Sequence, residues 1–165
     1  MKEMLTQLSA YHLWANQQLL HAILLLPSDQ QQAEVGGSFP SLHLTLLHMW
    51  DAESIWWQRM RLQERVAFPS QNFDGTTADI ITQLLALNKQ WHEWVAAQHE
   101  HGLEHVFLYQ NSKKEKFKQP IYQMLLHLFN HGTYHRGQLV SQMRQLGLNK
   151  IPQTDFIVWS RKKIY

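Results

Sequence analysis

Three histidines, His127, His131 and His135, stand at four-residue intervals within Leu126-His127-Leu128-Phe129-Asn130-His131-Gly132-Thr133-Tyr134-His135-Arg136-Gly137-Gln138. In a helix that interval is one turn plus about 40°, so His131 and His135 lie one above the other and their imidazoles reach a common point. The chemistry such a pair offers is coordination of a metal ion. A chain with eleven histidines also meets this interval by accident, so the spacing alone leaves ordinary helical histidines as the other reading. His127 is geometrically able to replace either member of the pair. The chain has no cysteine, which removes thiolate ligation, disulfides and cysteine nucleophiles together. Any metal must therefore be held by nitrogen and oxygen.

A further donor is offered by His48, in Leu46-Leu47-His48-Met49-Trp50-Asp51, at the edge of a second apolar stripe. Asp51, one turn beyond it, together with Glu53 and Asp155, are candidates to orient a ligand or to act as a base. Each reads equally well as a charge on a helix surface. His92 and His99 lie among Glu and Gln and are expected to be solvated; His12, His21, His43, His101 and His105 have no partner at metal spacing and read as surface or capping histidines.

The elements that must position these residues follow from periodicity. Met4, Leu8, Tyr11, Ala15, Leu19 and Ala22 predict a first amphipathic helix from about Lys2 to Leu26, ended by Pro27-Ser28-Asp29. Gln30 to Pro40, with Gly36-Gly37, reads as a long connection that allows a crossover. Leu42, Leu46, Met49, Ala52, Trp56 and Met60 predict a second helix from Ser41 to about Arg65. Phe68 to Thr77 is rich in turn and cap residues. Ile80, Leu84, Leu87, Trp91 and Trp94 predict a third helix from Thr77 to near Gly102.

Glu104 to Gln119 is aromatic, β-branched and turn-like at Asn111-Ser112, and predicts a small irregular hairpin. Pro120 then opens a fourth helix that runs to Leu146 and ends at Gly147. On it Ile121, Leu125, Leu128, Leu139, Met143 and Leu146 form the apolar stripe, with His131 and His135 at its rim. Gly132 and Gly137, each costing about 1 kcal/mol in a helix, point to close backbone approach. A short element capped by Thr154 or Asp155 is expected in the tail. The tryptophans Trp50, Trp56, Trp57, Trp91 and Trp94 read as core and pocket wall.

The chain of 165 residues, 44% hydrophobic and +2 in formal charge, is one domain's worth of sequence and expected to be all-α. Four long helices with one long early connection suit a four-helix bundle, a fold that builds metal sites from facing helices. No apolar run approaches the roughly eighteen residues of a membrane span, and the amino terminus lacks a signal-peptide pattern, so a cytoplasmic location is expected. The Lys113-Lys114-Glu115-Lys116-Phe117-Lys118 cluster and the Arg161-Lys162-Lys163 tail read as a solvated loop and tail, not as a nucleic-acid surface.

Asn130 to Gln138 resembles the signature helix of the DinB-like superfamily, the damage-inducible metal-binding bundles. Tyr11-His12-Leu13-Trp14-Ala15-Asn16, Phe39-Pro40-Ser41-Leu42 with Leu47-His48, Trp56 to Arg59, and Pro152-Gln153-Thr154-Asp155-Phe156 extend the resemblance over nearly the whole chain. It implies an up-down-down-up four-helix bundle, a homodimer, and a divalent metal held by one histidine of the second helix and two of the fourth. Those ligands fall on His48, His131 and His135. Tyr134 takes a place often held by another histidine in the family and leaves that ligand set intact.

Three neutral histidines leave at least one coordination position open, an arrangement that polarises a carbonyl, lowers the pKa of a water or receives a thiolate. Zinc and nickel are the first candidates; iron, manganese and copper suit the same donors. The resemblance implies an enzyme acting on a small molecule, hydrolase-like or transferring a low-molecular-weight thiol. The alternative is a non-catalytic, stress-related metal-binding dimer, and DNA binding has only the lysine cluster in its favour.

Overall fold

The computed structural model describes residues 1–111 and 113–161. Ser112 of the expected turn and Lys162 and Lys163 of the basic tail lie outside the described residues. Helices α1 (Lys2–Leu24), α2 (Ser28–Gln32), α3 (Leu42–Met60), α4 (Thr77–Ala97) and α5 (Glu100–Glu104) precede strands β1 (Val106–Gln110) and β2 (Lys116–Pro120), and α6 (Ile121–Gln145) and α7 (Phe156–Ser160) follow. The fold is mostly helical with a small two-stranded sheet. Among the described residues no helix is long and apolar enough to cross a membrane.

The four long helices pack so that α1 and α3 each lie against both α4 and α6. One apolar cluster joins the start of α1 (Leu5), the ends of α3 and α4 (Trp57, Trp91) and the start of α6 (Ile121, Leu125). The other joins the end of α1 (Leu19, Ile23), the starts of α3 and α4 (Leu42, Ile80) and the end of α6 (Met143). Hence α1 and α6 run one way and α3 and α4 the other. The tryptophans serve the first cluster, with Trp57 and Trp91 edge to face at 4.8 Å.

Local chemistry sets the boundaries. Ser41 Oγ accepts the Leu44 N–H to start α3, and Thr76 with Asp79 forms a reciprocal capping box at α4. The Thr76 hydroxyl and N–H hold the Asp79 carboxyl below its usual range. Gly147, at φ +87°, supplies the left-handed residue after α6. Three expected boundaries differ. The α3 helix stops at Met60 instead of Arg65, because Leu62 turns left-handed and the Gln63 N–H closes back on the Gln58 carbonyl at 3.1 Å. The third helix ends at Ala97, with α5 as a separate turn, and α2 occupies part of the expected connection.

The connection before α6 is more regular than expected and corrects the all-α reading. Five residue pairs, from Val106↔Pro120 to Gln110↔Lys116, form an antiparallel ladder. Tyr109 donates its hydroxyl to Gln119 Oε1 at 2.7 Å, and Asn111 Oδ1 accepts the Lys113 and Glu115 N–H groups in the turn. In the tail, Asp155 precedes α7 without a side-chain cap bond, and Thr154 is engaged instead through its carbonyl, which accepts the Tyr11 hydroxyl at 2.7 Å.

The buried face of α1 also differs. Met4 is 55% exposed, while Ser9, His12 and Asn16 are buried. The reason is a ring of hydrogen bonds that touches all four long helices. Arg136 Nη1 donates to His12 Nδ1 at 3.2 Å and to Asn16 Oδ1 at 3.1 Å. A guanidinium only donates, so His12 Nδ1 is the acceptor nitrogen and Nε2–H donates to Glu53 Oε1 at 2.9 Å. Asn16 Nδ2, 3.2 Å from that same Nε2, is committed to Asn88 Oδ1 at 2.7 Å. Asn88 Nδ2 in turn donates to Glu53 Oε2 at 2.6 Å. Two branches thus run from the Arg136 cation to the Glu53 carboxylate. Gly132 makes room for them: a Cβ there would stand 2.8 Å from His12 Nδ1 and collide with Cε1, whereas one on Gly137 would meet open space.

Candidate metal centre

His48 projects from the middle of α3, and His131 and His135 from successive turns of α6, the helix packed beside it. Their ring nitrogens include one from each residue within 4.8 Å of one another, and they form the one such group of His, Cys, Asp or Glu among the described residues. His131 Nε2 and His135 Nε2 face each other at 3.0 Å. Two nitrogens on one tetrahedral ion at ~2.1 Å are separated by about 3.4 Å, a value inside this spread. The donor set therefore fits a divalent ion, and a three-histidine group of this shape can hold one.

The imidazoles are prepared for that role. Burial, then the neighbouring His135, His48, His127 and His12 rings, holds His131 down at about 4. Burial also lowers His48, assisted by His135 and opposed by Asp51, and lowers His135 against the opposing hydrogen bond from Gln138. All three are thus biased towards the neutral form that coordinates metal. The same shifts act on stability. A histidine whose folded pKa lies below its unfolded value of about 6.5 binds its proton more readily in the unfolded chain, so stability falls as pH drops through the window between them. The metal-free protein is expected to lose thermal stability between about pH 6.5 and pH 4, and His131→Asn to flatten that decline. Melting curves at pH 7 and pH 5 check this, and a decline identical in the variant would exclude His131 as a contributor.

Two supports were not read from the sequence. Gln138, three residues after His135, accepts from His135 Nδ1 at 2.8 Å, which turns Nε2 towards the other imidazoles. Gln138 Nε2 then donates to Ser38 Oγ at 3.0 Å. Phe39 stacks on His48 with centroids 4.5 Å apart and an interplanar angle of 26°. Its loop is tied to α6, because Gln142 Nε2 donates to the Phe39 carbonyl at 2.8 Å and Gln145 Oε1 accepts the Gly36 N–H at 3.1 Å. The i, i+3 spacing from His135 was the available signal for Gln138; Phe39 was marked only as part of the Phe39-Pro40-Ser41-Leu42 resemblance, which says nothing of stacking on His48. Gln138→Leu is expected to weaken metal affinity about 10–100-fold, as loss of such an orienting partner does. Competition against a chelator measures it, and unchanged affinity would remove the role.

The other candidates lie elsewhere. His127 is 5.7 Å ring to ring from His131 but packs at 5.5 Å against Trp56, outside the three-imidazole group. Asp51 is held by the short turn after α3, accepting the Ser70 N–H at 2.9 Å and hydroxyl at 2.6 Å. Glu53 is no surface charge; it closes the buried ring. Asp155 is exposed beside α7. His12, expected at the surface, is buried in that ring, and His92 and His43 bond to Ser9 and Thr77 at 2.9 Å each. Tyr134 is 60% exposed, with its ring edge-on to His135.

Comparison with known proteins identifies relatives of the chain. The chain is 29% identical over 161 residues to Protein DinB of Bacillus subtilis (strain 168), an alignment covering 94% of this chain and 93% of that protein. A crystal structure of a DinB-like protein from Bacillus cereus ATCC 10987 superposes with a TM-score of 0.67, at 19% identity over 87% of this chain and 91% of that one. That likeness speaks for the fold. The family model described as DinB family matches residues 1–162, and the chain belongs to the DinB family.

Proposed function

We propose that the protein is a divalent-metal-dependent enzyme acting on a small molecule, hydrolase-like or transferring a low-molecular-weight thiol, with His48, His131 and His135 as the metal ligands. In this reading the four long helices form an up-down-down-up bundle, and the protein is a cytoplasmic homodimer. The observation that carries it is the convergence of three imidazoles with no fourth His, Cys, Asp or Glu joining them among the described residues. A closed structural site adds a fourth protein ligand; an open one leaves room for substrate. A divalent ion held there supplies Lewis-acid chemistry, polarising a substrate oxygen or lowering the pKa of a water or thiol brought to it.

The chain's own residues do the rest. Gln138 fixes the His135 tautomer through Nδ1, and Phe39 covers one face of His48. The alternative is metal binding without catalysis. It is favoured by the placement of the acidic candidates, since Asp51 and Glu53 are both committed to other hydrogen bonds. The test is metal content by mass spectrometry on protein purified without a polyhistidine tag, followed by metal-dependent hydrolase and thiol-transfer assays. About one ion per chain with metal-dependent turnover supports the enzyme. Full metal without turnover moves the weight to the alternative, and no metal after reconstitution with zinc, nickel, iron, manganese or copper overturns both.

A further inference from the structure

A cavity of about 850 Å³ opens between the end of α3, the loop after it and the β1–β2 hairpin. Its walls carry three cations, Arg59, Lys114 and Lys116, against one carboxylate, Glu64. None of the four takes part in an ion pair among the described residues. Arg59 lies over Trp56 at 4.9 Å and Tyr109 at 5.5 Å, which fixes the guanidinium against an aromatic wall. Its Nε is shut off from solvent and has no hydrogen-bond partner. Burial pushes the Arg59 guanidinium below its ordinary value, with Tyr109 opposing. Arginine nonetheless stays charged, so the site holds a partly desolvated cation without an anion.

The backbone supplies an independent observation. Leu62, at φ 54°, and Lys114, at φ 63°, are the two non-glycine residues with left-handed backbone among those described. Glycine would relieve both, yet both side chains line this one cavity. Leu62 is 69% exposed and shares the wall with exposed Phe68 and Leu108. An apolar wall facing an unpartnered cation is a poor surface to leave to water and a good one for a molecule with both characters.

We infer that this cavity binds an amphipathic organic anion, a carboxylate whose charged end pairs with Arg59, Lys114 and Lys116 and whose apolar body lies on Leu62, Phe68 and Tyr109. A second copy of the chain would cover the apolar wall equally well. It is disfavoured because the cations line a concavity and the chain places a single carboxylate there. His48, Ala52, Ile55 and Arg59 follow one another at helical spacing along one face of α3. Eleven residues at 1.5 Å each set Arg59 about 16 Å from His48. Between them Trp56, His127 and His131 pack ring against ring, at centroid distances of 5.5 and 5.7 Å. The anion site is thus separate from the metal centre proposed at His48, His131 and His135, and its occupancy does not depend on a metal there.

The experiment is calorimetric titration of the full chain with 2-naphthoate and with its neutral counterpart 2-naphthamide. Naphthoate is expected to bind saturably, one per chain, and naphthamide at least about tenfold more weakly, the scale of one charge-assisted hydrogen bond. Arg59→Gln is expected to weaken naphthoate at least about tenfold. The Lys114→Gln/Lys116→Gln double variant, at exposed positions where folding is not in question, is expected to weaken it severalfold and to flatten its salt dependence. Chelator-treated protein should bind naphthoate unchanged and Arg59→Gln should keep its metal, so a failed metal centre and a failed anion site give different results. Equal affinity for the two probes, wild-type affinity in both variants, or no naphthoate binding overturns the inference. So does a dimer broken by Leu62→Asp, which would assign the cavity to a second copy.

Discussion

Glu53→Gln is expected to cost the folded chain about 3–5 kcal/mol, the range for removing one partner from a buried charged network. At about 2–4 °C per kcal/mol for a chain of this size, the melting temperature should fall by about 6–20 °C. Both Glu53 oxygens are occupied, by His12 Nε2–H and by Asn88 Nδ2–H. A glutamine offers one acceptor oxygen and one amide nitrogen, so one of those donors meets another donor. Arg136, equally buried, also loses the one carboxylate that its two branches reach. Arg136→Met should be similarly destabilising, and the double variant should lose clearly less than the sum of the two, because the partners act through one network. Denaturant melts of the three variants decide it. Losses below about 1 kcal/mol that add would show the ring to be incidental to stability.

His131→Ala and His48→Ala should each reduce bound metal from about one ion per chain to none, whereas His127→Ala should keep it. Two imidazoles without a carboxylate leave a divalent ion too few protein donors, and no other His, Cys, Asp or Glu joins the group among the described residues. The histidine most able to compensate by spacing, His127, is held against Trp56 instead. Metal content with circular dichroism as a control for folding separates the outcomes. Loss of metal in His127→Ala together with its retention in His131→Ala would move the site one turn along α6 and overturn the assignment.

The helices and the His131–His135 pair were legible because both rest on local periodicity, while His48 was marked by its place at the edge of an apolar stripe and by the family resemblance. A stripe of apolar residues needs no knowledge of its partner, and His131 and His135 announce themselves by their interval. What escaped depends on residues far apart in the chain. Ser9, His12 and Asn16 look like the wet side of α1 by hydropathy, yet Arg136, which buries two of them, lies 120 or more positions away. Glu53 escaped for the same reason. Gly132 and Gly137 were indistinguishable in sequence, and only the His12 ring beside one of them tells them apart. The end of α3 had neither glycine nor proline to mark it, since a leucine takes the left-handed position.

The diagonal placement of α1 and α3 bears on how the chain is made. In a simple up-and-down bundle each new helix has its predecessor to dock against. Here the helix that follows α1 is not the one it chiefly packs on; its neighbours are α4 and α6, whose first residues lie 53 and 97 positions beyond the end of α1. Contacts of such long range make for slow, late assembly. During synthesis α1 cannot complete the burial of Leu19, Leu20 and Ile23 until α4 emerges, nor bring His12 to Arg136 until α6 does. For that interval its amphipathic face is exposed to whatever else binds apolar helices, and completion of the bundle waits on α6, the helix that carries His131 and His135.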